Sequence, residues 1–435
     1  MNGVARLLFM LCYTSFMNKR ISKLSKIKNN KEAKNLLANF FSLSFLQIAG
    51  YIFPLLTLPY LARVIGVERF GEIAFSSAVL IYFQTLVDYG FILTAVRDIA
   101  RCRDDKQAVS QIYSKVMWAR FLLTGLAFLL LSILIIFVPY FYQMRCILLL
   151  SFLLIPGHAM FPDWMFQALE KMKYITIFNV LIKFIFTIAV FLFIKKQDDY
   201  LLQPIFSALG FIVSGFCSMC LIRKWGIRLH IIPLKTVLLA IKENTDLFVN
   251  QLVPNLYNSL SVLLLGFFHG SGANGIFDAG NKFNTIATNL LTIVSRTFFP
   301  FLSRKIEKHY VLARINITAS VLMAMVLFVF APLIIHIFFT KEFETAIVVL
   351  RIMSVSLIFL ALSNVYIVNW LIVKGYEREA RKITVMASLI GFVMAVPLVY
   401  YYTYIGAALT VAAARALMGV GGYMRVVKLK KNLSK

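Results

Sequence analysis

Three basic side chains stand inside long apolar runs, where a charge is costly: Lys183 between Ile182 and Phe184, Arg296, and Arg415 in the small-residue run VAAARALMG. A cation so placed either pairs internally or lines a wet cavity and lowers the cost of bringing an anion into it. Acidic residues occupy similar runs: Asp88 in LVDYGF, Asp163 and Asp278. Asp278 and Lys282 lie four residues apart and can pair along one helix face, whereas Asp88 has no partner at that spacing. A buried lone carboxylate can take up a proton, so Asp88 is a candidate for coupling, and Asp163, Asp278 and Lys282 join it as coupling or gating candidates. Amides and an aromatic ring complete the set, with Asn255 and Tyr257 in one run and Asn284 in the next, suited to the hydroxyls and flat faces of sugars. Lys183, Arg415, Arg296, Asn255, Tyr257 and Asn284 thus form the candidate lining of a substrate lumen. No catalytic constellation accompanies them. The histidines (His158, His230, His269, His309, His336) are scattered, and the sequence has no HExxH, phosphate-loop or GxSxG pattern. The expectation is a non-enzyme with no cofactor and no metal site. Cys217 and Cys220 form a CxxC inside an apolar run, where small packing residues are the reading.

The elements that must hold these side chains follow from the composition. The chain has 435 residues, 60% of them hydrophobic and 15% charged, with a mean hydropathy of +0.81. A disordered chain is excluded, and soluble domains carry roughly 25% charged residues. Apolar runs predict membrane spans near 36–61, 73–95, 117–138, 146–168, 175–194 and 203–222, then near 246–268, 275–301, 313–339, 345–370, 383–402 and 405–424. The predicted fold class is an all-α polytopic membrane protein of about 12 helices in two bundles of six. Its parts are a basic tail (1–35), an N-terminal bundle (36–222), a linker (223–245), a C-terminal bundle (246–424) and a second basic tail (425–435).

Lys and Arg number 45 against 19 Asp and Glu, a formal net charge of +26. Such a balance in a soluble protein would suggest a nucleic-acid partner. With both termini on the cytoplasmic side, however, 34 of the 45 fall on that face, 8 on the other and 3 within spans, with Arg120 counted among the cytoplasmic group. That split is a topological signal beside anionic head groups, and no nucleic acid is implied. The apolar stretch Leu7 to Phe16 runs into Asn18-Lys19-Arg20 without a small-residue cleavage site, so an uncleaved cytoplasmic tail is expected, with Met17 an alternative start.

An internal repeat organises the spans. IGVERFG (Gly66 to Gly71) joins the first two, and HGSGANG (Gly270 to Gly275) joins the seventh and eighth, each with glycines five apart and offset by 204 residues. Halves with an even number of spans are parallel repeats, a design that encloses a site and works by rocking one half against the other. Pro54, Pro59, Pro156, Pro162 and Pro254 fall inside spans, where they can kink helices.

From Asn35 the run NLLANFFSLSFLQIAGYIFPLLTLPYLARVIGVERFGEIAFSSAVLIYFQTLVDYGF resembles the opening of the Wzx-type polysaccharide-biosynthesis flippases. FPDWMFQALEKMKY from Phe161 is similar to that family's proline, tryptophan, FQG and glutamate signature, with Ala168 where glycine is usual. The resemblance implies a transporter of the multidrug, oligosaccharidyl-lipid and polysaccharide (MATE-like) superfamily. Its implied cargo is an undecaprenyl-pyrophosphate-linked O-antigen or related repeat unit, moved between leaflets of the bacterial inner membrane by alternating access. The implied partners are that lipid-linked oligosaccharide, membrane lipid and other polysaccharide assembly proteins. Two alternatives stand beside it: a MATE-like antiporter for small molecules or cations, and a polytopic O-antigen polymerase, against which the short loops count. Glu170, within the signature, is expected at the cytoplasmic gate or interface, with simple pairing to Lys171 or Lys173 as the plainer alternative.

Overall fold

The computed structural model describes the backbone of residues 31–304, 306 and 309–433, and the side chains within them except at 31–49, 51, 249–251, 253–258, 296–304 and 432–433. The basic tail, with Met17 in it, lies outside the described residues. Among the described residues the elements are all helical, as an apolar chain requires when hydrocarbon offers its backbone no other hydrogen-bond partner.

Three helices are too long to cross a membrane once. Lys31–Asp88 as one straight rod would measure about 87 Å, against a hydrocarbon core of about 30 Å. It bends at Gly66 (φ 72, ψ 177), a backbone conformation essentially reserved for glycine. Thr245–Arg304 does the same at Gly270 (φ 80, ψ −176), so the two halves of the repeat share one device. Glu377–Leu433 turns at Thr403 (φ 51, ψ −131), and there Gly406 lies so close to Leu398 that a Cβ would overlap its carbonyl oxygen. Nine stretches among the described residues are long and apolar enough to span a membrane. With these three doubled, the sequence-predicted twelve are accounted for.

In order, the first and second spans are the arms of Lys31–Asp88, the second extended by Phe91–Arg101, and the third is Lys106–Phe137. The fourth, Arg145–Ala168, is cut into Arg145–Phe152, Leu154–Met160 and Asp163–Ala168. Met172–Phe193 and Gln197–Lys224 follow, and the arms of Thr245–Arg304 are the seventh and eighth. The ninth, His309–Val329, continues after a break as Ala331–Phe338. The tenth, Ala346–Ile372, ends in a π-helical segment, Asn364–Ile372, and the arms of Glu377–Leu433 close the set. The expected linker loop contains a helix, Leu234–Glu243, whose Val237 and Ala240 are buried.

Packing divides the molecule unevenly between its ends. Near the Gly66 and Gly270 turns, here the hairpin face, Leu58, Ala62 and Ile65 of the first span share a buried cluster with Ala279 and Phe283 of the eighth and with Ile335, Phe339 and Phe343. The two turns also touch main chain to main chain. A Cβ on Gly71 would overlap the Ser271 carbonyl oxygen, and one on Gly275 would overlap that of Val67. Across the same seam the Val67 amide donates to Glu342 Oε2 (3.3 Å), and the Phe70 ring meets those of Phe339 and Phe343. At the opposite, terminal face the larger clusters stay within one half or its linker, such as Ile367, Trp370, Ala414 and Val426, and the halves meet there through the stacked rings of Tyr89 and Phe248 (4.5 Å).

Candidate functional site

The second span runs helically to Asp88 and then breaks, with Tyr89 (φ 41) and Gly90 (φ 78) in left-handed backbone before Phe91 restarts the helix. The fourth span is interrupted at Phe161 and Pro162, where proline removes a donor and cannot continue the preceding turn. Helix ends of this kind leave carbonyls in need of outside donors, and Arg120 of the third span supplies them. Its Nη2 donates to the His158 carbonyl (3.1 Å) and its Nη1 to that of Phe161 (3.3 Å). The same Nη2 donates to Asp88 Oδ1 at 2.8 Å, and His158 Nε2 lies 3.1 and 3.2 Å from the two Asp88 oxygens. Asp163, the first residue of its short helix, accepts the amide of the next residue, Trp164 (2.9 Å), and lies within electrostatic range of Arg120, His158 and Asp88.

Exposure sets the direction of this cluster. The side chain of Arg120 is 2% exposed, those of His158 and Asp88 22% and 35%. The guanidinium is sealed behind, and the carboxylate with its imidazole faces open space. Arg120 therefore belongs to the interior and not to the cytoplasmic tally. Asp88, without a partner along its own helix, finds two from other spans.

A second polar cluster lies in the C-terminal half and joins two sequence candidates. Arg415 Nη1 donates to Ser356 Oγ (2.9 Å) and to Asn284 Oδ1 (3.4 Å), and Asn284 Nδ2 donates to Asn281 Oδ1 (3.1 Å). Asn369, in the π-helical segment, donates to the Asn364 carbonyl (2.9 Å) and to Ser295. Widening the helix by one residue per turn presents both amides on the inner side of one short stretch.

Lys183 stands apart from both clusters. Its Nζ would be 3.2 Å from a Cβ at Gly50 of the first span, so glycine there leaves room for the ammonium. Among the described residues it has no hydrogen-bond or ion-pair partner. Asp278 and Lys282 pair at 2.9 Å along their helix. The side chains of Asn255, Tyr257 and Arg296 lie outside the described residues.

The FQALEK stretch sits at the terminal face. Glu170 (φ 56) pairs with Arg103 at 3.1 Å, which ties the turn after the fourth span to the turn after the second. Lys171 instead lies over the Trp225 ring at 3.5 Å, and burial, helped by Lys173 and Lys106, holds it below the usual lysine range. Ala168 is tolerated because it is helical; the left-handed position is Glu170.

Known proteins with this architecture bear on the assignment. A family profile described as polysaccharide biosynthesis protein matches residues 36–306. A candidate O-antigen transporter of Escherichia coli (strain K12) is 28% identical over 399 residues, 89% of this chain and 96% of the relative. Another, from Shigella dysenteriae, is 27% identical over 387 residues, 87% and 97% of the two chains. Among solved structures, the lipid II flippase MurJ in an inward closed conformation superposes with a TM-score of 0.71 at 14% identity, covering 90% of this chain and 87% of that one. An inward-facing multidrug resistance MATE family transporter of the MOP superfamily gives 0.64 at 15% identity, covering 90% and 99%.

Proposed function

The chain belongs to the polysaccharide biosynthesis protein family, and from that premise we propose that it flips a lipid-linked oligosaccharide, the O-antigen or a related repeat unit on undecaprenyl pyrophosphate, from the cytoplasmic to the periplasmic leaflet. It acts as a transporter and not as an enzyme. The observation that carries this reading is the uneven packing of the two halves: main chain meets main chain at the hairpin face, whereas at the terminal face they touch through side chains such as the stacked rings of Tyr89 and Phe248 (4.5 Å). A cation within the spans of each half, Lys183 and Arg415, suits an anionic head group. Stripping such a group of water without compensation costs several kcal/mol. The polyprenyl tail stays in lipid while only the head enters.

The proposed moving units are the bundles at 36–222 and 246–424, joined by the 223–245 linker. The gathering of Lys and Arg at the terminal face supports cytoplasmic termini, and a bacterial inner membrane is the setting that this cargo requires. The Asp88 cluster is the proposed coupling position, and Asp278 with Lys282 a gating pair. The test is the leaflet in which a labelled repeat unit collects when the gene is deleted. Accumulation on the cytoplasmic leaflet with loss of surface polysaccharide is expected. Intact units at the periplasmic face, left unpolymerised, would overturn the reading in favour of a polymerase.

A further inference from the structure

On the terminal face a cavity of about 570 Å³ opens between the third span and the linker. Gln107, Gln111 and Lys115 line it from the span, His230 and Thr236 from the linker, and none of the described residues lining it is a carboxylate. Lys115 has no ion-pair partner among the described residues. It also borders a neighbouring 460 Å³ cavity whose charged groups are Arg97, Asp98, Glu243 and Asp246. The linker is fixed in place by backbone contacts: the Arg228 amide donates to Ser110 Oγ (3.2 Å) and the His230 amide to Ser114 Oγ (2.8 Å).

Below the cavity the same face of the span changes character. Gln107, Gln111, Lys115, Trp118, Leu122, Leu126 and Leu129 recur at intervals of three and four, which places them on one stripe of the helix. Trp118 donates its indole N–H to the His230 carbonyl (2.9 Å) and is exposed, as are the three leucines beyond it. Polar cavity, indole and leucines follow in the order of head group, interface and acyl region of a leaflet. On the linker helix, exposed Leu234 and Leu238 run beside Lys235 and Lys242, the arrangement of a helix lying in that interface.

We propose that this cavity holds the phosphate-bearing head group of an anionic glycerophospholipid of the terminal-face leaflet, its acyl chains lying along the stripe from Trp118 to Leu129. Charge complementarity selects the head group, because the cavity offers an ammonium, amides and an imidazole to the phosphate. Continuity with the lipid-facing stripe selects a membrane lipid over a soluble anion. The site goes beyond the transport reading and stands independently of which cargo is carried.

The test uses the full chain reconstituted in phosphatidylcholine vesicles doped with brominated phosphatidylglycerol or, in parallel, brominated phosphatidylcholine. The Trp118 contribution is isolated by subtracting the signal of Trp118→Phe. Stronger quenching by the anionic lipid is expected, lost in Lys115→Gln, in Gln111→Glu and at high salt. Equal quenching by both lipids in the unaltered protein overturns the proposal, as does a preference that persists in both cavity variants. Displacement of the brominated phosphatidylglycerol by an equimolar long-chain isoprenyl pyrophosphate also overturns it, assigning the cavity to a transported lipid.

Discussion

Arg120 binds one carboxylate and two main-chain carbonyls with a single planar group, a geometry that an ammonium cannot reproduce. Arg120→Ala is expected to cost about 2 kcal/mol, below the ~3–5 of a fully buried pair because Asp88 keeps contact with open space. The shift in thermal unfolding of the purified protein measures it. Arg120→Lys should recover only part, and Asp88→Asn with Arg120→Gln should lie closer to the unaltered protein than Arg120→Gln alone. If Asp88 couples transport to protons, Asp88→Asn removes the dependence on the proton gradient; a variant that keeps it excludes the role. For the proposed lumen cations, Lys183→Ala or Arg415→Ala should abolish surface polysaccharide at normal membrane levels, and full complementation by both would remove them from the cargo path. At this scale Asp88, Asn284 and Arg415 were legible because polar groups in apolar runs are conspicuous. Arg120 was not, since it ends a series of loop charges from Lys106 and Lys115, and its partners lie 32 to 41 residues away.

The three reversing turns make different demands on their residues. Gly66 and Gly270 combine positive φ with extended ψ, so Gly66→Ala and Gly270→Ala should each cost about 1–3 kcal/mol, read from chemical or thermal unfolding. Thr403 sits near the first central position of a type II′ turn, which favours glycine. Thr403→Gly is therefore expected to raise the unfolding temperature, and a lowered one would show that the threonine side chain contributes more than its backbone strain costs. The glycine pairs were visible in sequence because they punctuate apolar runs twice at the same spacing. The Thr403 turn was visible only as the gap between two apolar runs, and the π-helical Asn364–Ile372 was hidden, because a one-residue widening leaves composition unchanged. Prolines proved an uneven guide: Pro54 and Pro59 remain inside a continuous helix, whereas Pro162 begins a new one.

For the whole molecule, the fold class followed from hydropathy, and the two-half plan from the count of apolar runs and the repeated glycine spacing. The seam between halves did not, because contacts separated by some 200 residues leave no local pattern. Glu68 and Gly272 face each other across it, with Glu68 Cγ 3.9 Å from where a Cβ on Gly272 would stand. A Glu68→Cys, Gly272→Cys pair should therefore form a disulfide. The oxidised protein should fail to transport and a reductant should restore it; transport at the normal rate with the bond intact would show that this seam stays shut throughout the cycle. The glycines of the seam have a wider consequence. Where Gly71 meets Ser271 and Gly275 meets Val67, the fit depends on missing side chains and is blind to what the interior carries. Door and passenger can then diverge separately: a lineage adopting a different sugar can rework its interior while leaving these hinges untouched, so cargo range should evolve quickly on an almost unchanging frame.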